Sequence, residues 1–168
     1  TGNGSTQDIT FDGNSNLQPD WLWIKGRSLA EGHTLQNSVT GVTKHLHSQN
    51  TDAQVTDTGI VTAFNSNGFS LGDEGDVNGN SSTFVGWGWK KQAGLFDIVT
   101  YTGNGSNRTI SHNLGVAPTM MIIKNIESGG TNWFVYHVGI GNAAKYVKLN
   151  QTNAESTKAS LFNSTAPT

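Results

Sequence analysis

Apolar residues in this chain fall in short runs and alternations separated by clusters of Gly, Asn and Ser. That pattern predicts strands and tight turns rather than helices. Strands are expected at residues 8–11, 21–25, 43–48, 59–64, 68–71, 83–89 and 96–101, and then at 108–111, 119–124, 132–138, 145–150 and 161–163. Along 83–89 the side chains of Phe84, Gly86 and Gly88 share one face and those of Thr83, Val85, Trp87 and Trp89 the other, because successive residues of a strand point to opposite faces. One face is therefore nearly bare, as suits a strand lying against another backbone. Asn67-Gly68 and Asn78-Gly79 place residues tolerant of positive φ where turns are required.

The pattern also recurs. Thr1-Gly2-Asn3-Gly4-Ser5 returns as Thr102-Gly103-Asn104-Gly105-Ser106, residues 19–25 match 118–124 at an offset of 99, and 44–53 match 145–154 at an offset of 101. A period this long is a whole domain, since a solenoid coil takes only about 20 to 50 residues. The first copy begins at its Gly-Asn-Gly turn without the run 96–101 that precedes the same turn in the second. The second copy contains no counterpart of 68–72 or 83–89. The expected organisation is all-β: tandem, jelly-roll-like β-sandwich repeats of about 100 residues, the second incomplete. Residues 1–89 form the first repeat without its leading strand, 90–94 a polar linker and 95–168 the truncated second repeat, so the chain reads as a window of a longer polypeptide. Repeat-matched apolar positions mark Trp23, Ile24, Phe84, Trp87, Ile122, Trp133 and Val135 as expected core.

Composition narrows the class. Of 168 residues, 74 are Gly, Ser, Thr or Asn and only 13% are charged, which separates the chain from charge-rich disordered segments, while five Trp and seven Phe supply core anchors. A net charge of −2 gives no basic footprint for nucleic acid or an anionic membrane. No apolar run approaches the roughly 20 residues that span a bilayer. The absence of Cys leaves the redox compartment open.

Few residue constellations suggest chemistry. His45 and His47 share a strand face at a spacing metal sites use, but their repeat counterparts are Tyr146 and Lys148, so they read as surface histidines. Asp73, Asp76, Asn78 and Asn80 lie in one glycine-rich loop with the alternate spacing of oxygen-donor calcium loops. No bidentate acid follows them, because Ser81, Ser82 and Thr83 come next. A solvated hairpin turn is the expectation there, with calcium as the alternative and no other cofactor implied. Trp87, Trp89, Trp133, Tyr136 and His137 are the candidates for an aromatic ligand site, since sugar rings stack on flat apolar faces while loop polar groups bind hydroxyls. No paired carboxylates, Ser/His/Asp order or nucleophile elbow stands out, so no enzyme is expected.

The string from Tyr101 to Ser106, the stretch Ile110 to Lys124 with its His112-Asn113-Leu114-Gly115 element, and Asn132-Trp133-Phe134-Val135-Tyr136-His137 resemble a tandem repeat family of virion structural and tail-fibre-like proteins from marine bacteriophages, cyanophages among them. The likeness extends over most of the chain. The first copy departs from the family pattern at residues 15–20, where the His-Asn-Leu-Gly element is lost, and at 32–41, where the Trp-x-x-Tyr-His element is missing. The resemblance implies a virion surface or tail setting, other virion proteins or copies of the same chain as partners, a homo-oligomer, and a host-surface glycan as a ligand to be reached. The alternative is a carbohydrate-binding or adhesin module of a cell-surface protein.

Overall fold

The structure is a computed structural model that describes all of residues 1–168. It is almost entirely β and antiparallel. The strands are β1 (Gln7–Thr10), β2 (Trp21–Gly26), β3 (His33–Asn37), β4 (Lys44–His45), β5 (Val55–Thr56), β6 (Val61–Asn65), β7 (Gly68–Leu71), β8 (Phe84–Trp89), β9 (Met120–Ile123), β10 (Phe134–His137), β11 (Lys145–Lys148) and β12 (Ser156–Thr157). One helical turn, α1 (Gly75–Asn78), and one 3-10 turn, Val138–Ile140, complete the elements. No helix is long and apolar enough to cross a membrane.

Two three-stranded sheets, β1-β7-β6 and β3-β2-β8, meet in the main core. β2 alternates as its sequence requires: Leu22 and Ile24 point inward and are buried, while Trp21, Trp23 and Lys25 point outward. Opposite them lie Ile60, Val61, Phe69 and Leu71, with Val77 of α1 closing the end. Each such side chain contributes about 1.5 to 3 kcal/mol on burial. The bare face of β8 does not meet a backbone, as its glycines led us to expect. A side chain added at Gly86 would lie 3.4 Å from the ring of Phe69, and one at Gly88 would lie 2.6 Å from the ring of Phe11. The glycines make room for aromatic rings from the opposing sheet, and those rings tilt against each other at 5.9 Å. At the β6–β7 turn Gly68 has φ +123°, and a Cβ there would fall 1.9 Å from the Ile9 carbonyl oxygen. Only glycine fits that turn.

The meander β2-β3-β4-β5 and the meander β9-β10-β11-β12 have the same pairing register. Trp21 faces Asn37 as Met120 faces His137. Leu35 bridges Leu46 as Val135 faces Val147. Lys44 and His45 face Thr56 and Val55 as Lys145 and Tyr146 face Thr157 and Ser156. Bonds outside the ladders match as well. The Ser38 amide donates to the Asp20 carbonyl at 2.8 Å and that of Val138 to Thr119 at 2.9 Å, while Asp57 to Thr43 and Lys158 to Ala144 both measure 2.8 Å. Lys25 and Lys124 each donate to the next residue's carbonyl at 2.8 Å. The flanks differ. β2 is paired on both sides, by β3 and β8, whereas β9 is paired only by β10.

Several expectations are corrected. Residues 96–101 and 108–111 form no strand: Phe96 closes a single bridge to Gln92 and neither segment enters a ladder; residues 161–163 lie in a turn. Within residues 90–94 the Lys91 amide donates to the Asp20 carboxylate at 2.8 Å and Gln92 bridges to Phe96. The segment 32–41, whose sequence departs from the aromatic pattern, still forms β3. Trp87 and Ile122, expected in the core, are 45% and 37% exposed, because one sits on the outer face of an edge strand and the other on a strand with an open side. Trp23 and Phe84 are half-buried, whereas Ile24, Trp133 and Val135 are buried as expected.

Candidate functional site

β8 is an edge strand, and an open groove of about 490 Å³ runs beside it, lined by Gly86, Trp87, Gly88 and Trp89 on one side and by Phe11, Gly13, Asn14, Ser15 and Leu17 on the other. Alternation places Trp87 and Trp89 on the outer face, where they are 45% and 39% exposed. Their rings are held from behind. Trp87 stands edge-on to Trp23 at 6.3 Å, and the Trp23 indole N–H donates to His33 Nδ1 at 2.8 Å. That bond requires an unprotonated imidazole nitrogen. Burial, with the nearby positive charge of Lys25, holds the His33 pKa below its ordinary value and so favours the accepting form. Trp21, opposite Trp89 in register, is braced edge-on by Phe96 at 6.2 Å. The groove thus sets the aromatic residues of an edge strand beside Asn14, Ser15 and the glycine backbone of β8.

The remaining aromatic candidates lie elsewhere. Trp133 is 2% exposed and plugs the joint between the two meanders, packing on Leu35 and Leu46 and donating its indole N–H to the His47 carbonyl at 3.1 Å. Next to it the Gln54 amide donates to the Ile126 carbonyl at 2.9 Å, and Lys124 Nζ reaches the Thr51 carbonyl at 3.3 Å. Tyr136 is buried edge-on to Phe162 at 5.7 Å. His137 is exposed, and its Nδ1 accepts the Gly139 amide at 3.0 Å to start the 3-10 turn.

The acidic loop is not a solvated hairpin. Residues 75–78 wind into α1, which breaks the alternate-residue alignment: Asp73 and Asn80 are exposed, Asp76 is half-buried and Asn78 is fully buried. The Asn78 amide donates to the carbonyls of Ser5 and Gly72 and accepts from the Asn3 amide and Gln7 Nε2, so its oxygen faces protein donors. Nowhere do three His, Cys, Asp or Glu side chains converge. His45 is likewise not a surface residue. It is 5% exposed, with its ring edge-on to His47 at 4.9 Å and the carboxylates of Asp57 and Asp76 near enough to act on its charge. Desolvation and then the neighbouring His47 hold its pKa below the ordinary value.

Sequence reasoning missed the joint itself. Trp133 was marked as core and as a ligand candidate but not as a contact between the two halves, and its partners Leu35 and Leu46 lie in weakly patterned segments. A further hollow of about 350 Å³ on the outer face of β1-β7-β6 is lined by Thr6, Gln7, Asp8, Thr62, Ser70 and Leu71, and offers polar contacts without an aromatic face.

Searches of curated proteins and of solved structures give no match. A family model described as a domain of unknown function, DUF7483, matches residues 1–168, and so spans both meanders and the joint between them: the chain belongs to that family.

Proposed function

We propose that this chain is a module of a virion surface appendage, a bacteriophage tail fibre or decoration, in which jelly-roll-like β-sandwich units of about 100 residues stand in tandem and serve reach and adhesion to a host surface. The observation that carries this reading is the coincidence of register between the two meanders at offsets of 99 to 101 residues. Repeated units that contact their neighbours extend a chain without a new core for each function. A surface rich in Gly, Ser, Thr and Asn with little charge suits exposure at high local density. The resemblance carried by residues 101–106, 110–124 and 132–137 points to the same setting. The module works without catalysis and without a cofactor in this reading, and its partners are other virion proteins or further copies of itself.

The exposed pair Trp87 and Trp89 beside Asn14 and Ser15 supports a second reading, a carbohydrate-binding module of a cell-surface adhesin. One experiment separates the two. Antibodies raised against residues 1–168 are applied, in immunogold electron microscopy, to virions and to cells that carry the sequence. Labelling of tails or particle surfaces is expected. Labelling confined to the cell envelope would overturn the virion assignment in favour of the adhesin.

A further inference from the structure

Asn-Gly pairs occur at Asn3-Gly4, Asn67-Gly68, Asn78-Gly79 and Asn104-Gly105. The first and last lie in the same pentapeptide, since residues 1–5 and 102–106 both read Thr-Gly-Asn-Gly-Ser, and the two turns fold alike. The Asn3 carboxamide oxygen accepts the Ser5 amide at 2.8 Å and that of Asn104 accepts the Ser106 amide at 3.0 Å, while Gly4 and Gly105 have φ of +65° and +73°. Both asparagines are exposed. What separates the turns is what holds them. The Gly4 amide donates to the Asn78 carbonyl at 2.9 Å, the Asn3 amide donates to the Asn78 carboxamide oxygen at 3.1 Å, and the Asn78 carboxamide N–H donates back to the Ser5 carbonyl. A Cβ at Gly4 would lie 3.2 Å from that of Asn80, whereas one at Gly105 would meet nothing within 4 Å, and the Gly105 amide donates no hydrogen bond within the chain.

We infer that Asn104 is a site of spontaneous covalent modification, deamidation through a cyclic imide, and that hydrogen bonding protects the other three Asn-Gly pairs. The Gly105 backbone nitrogen gives its proton to hydroxide and attacks Asn104 Cγ. A new N–C bond forms, the Cγ–Nδ2 bond breaks, and the carboxamide nitrogen takes up protons from water and leaves as ammonia. Water then opens the succinimide at either carbonyl, leaving aspartate or isoaspartate, so the net change is one water consumed and one ammonia released. Glycine in second place leaves the ring closure unobstructed, because it has no Cβ. A hydrogen-bonded N–H becomes such a nucleophile only when its bond opens. The Gly4 amide is held by Asn78, the Gly68 amide donates to the Leu17 carbonyl at 3.1 Å and the Gly79 amide to the Gly75 carbonyl at 3.1 Å. The Asn67 carboxamide is held as well, donating to the Phe11 carbonyl and accepting the Leu17 amide, both at 3.2 Å, and Asn78 is fully buried. The product adds a negative charge on an exposed turn of a chain whose net charge is −2, and isoaspartate also adds a methylene to the main chain.

The test incubates the complete 168-residue chain in mildly alkaline buffer and follows each Asn-Gly pair by peptide mapping, with mass spectrometry to score carboxamide turned carboxylate and chromatography to separate aspartyl from isoaspartyl products. Asn104 is expected to react first, and Asn3 about tenfold or more slowly, the factor imposed by opening the bonds from Asn78. The same chain unfolded in urea is the control, since there the two identical pentapeptides should react at similar rates. Asn78→Ala, in a chain whose thermal unfolding shows it still folded, should raise the rate at Asn3 and leave that at Asn104 unchanged. If that variant does not fold, the comparison of native and urea-unfolded chain decides alone. The inference is overturned if Asn3 and Asn104 react at equal rates in the folded chain, if Asn67 or Asn78 leads, or if folding slows Asn104 as much as it slows Asn3. None of these outcomes bears on the immunogold result, so the two proposals fall separately.

Discussion

Trp133 and Trp87 are both large aromatics on strands or at their ends, yet burial gives them opposite roles. Trp133 fills the joint against Leu35 and Leu46, so Trp133→Ala should cost about 3 to 5 kcal/mol in urea denaturation, the range for emptying a buried aromatic site. Trp87→Ala, at an exposed position on an edge strand, should cost well under half as much, and near-equal losses would contradict the assignment of Trp133 as the joint. His45 and His33 make stability depend on pH in one direction. Their folded-state pKa values lie below the ordinary value, so as pH falls through about 6.5 the unfolded chain takes up protons that the folded chain refuses. Stability should therefore be flat at higher pH, decline as pH drops from about 6.5 toward the depressed folded values, and level off below them. Denaturant midpoints between pH 8 and pH 5 check this, and His45→Gln should flatten the decline. A midpoint that rises on acidification would contradict it.

Strands dominated by aromatic and β-branched residues were legible from sequence. β2, β7, β8, β9, β10 and β11 fall within one or two residues of the runs that mark them. β3 was not, because His33-Thr34-Leu35-Gln36-Asn37 reads as polar. Its burial is imposed by β2 on one side and by Leu46 on the other, and the Thr34 hydroxyl and Gln36 amide are buried there without a protein partner. The segments 96–101 and 108–111 carry strand-like patterns but enter no ladder, and pairing, not propensity, makes a strand. The groove was half legible. Trp87 and Trp89 were named as ligand candidates, while Phe11, at the end of the expected strand 8–11, and Asn14 and Ser15, in the loop after it, were not. Gly88 tests the element-level account. Gly88→Val would force a side chain into the ring of Phe11, and overpacking of this kind costs about 1 to 3 kcal/mol. The double change with Phe11→Ala should recover part of the loss, whereas additive losses would show that the two do not meet.

At the scale of the whole molecule, two four-stranded meanders share one pairing register, the first flanked at β2 by β8 and the second by no strand at β9. Both are joined through Trp133, and the family to which the chain belongs spans the pair. The matching segments were visible in the sequence at offsets of 99 and 101 residues, but how the two meanders meet was not, because the hydrogen bonds across the joint end on backbone carbonyls of His47, Thr51 and Ile126, which leave no mark on composition. Residue-resolved amide hydrogen exchange on the chain alone, at low concentration, tests this most directly. The account predicts matched protection of Leu35 and Leu46 with Val135 and Val147, slow exchange at Trp21 and Trp23 beneath β8, and fast exchange at Met120 and Ile122. Unprotected amides throughout β10 and β11, or Met120 and Ile122 as slow as Trp21 and Trp23, would contradict it.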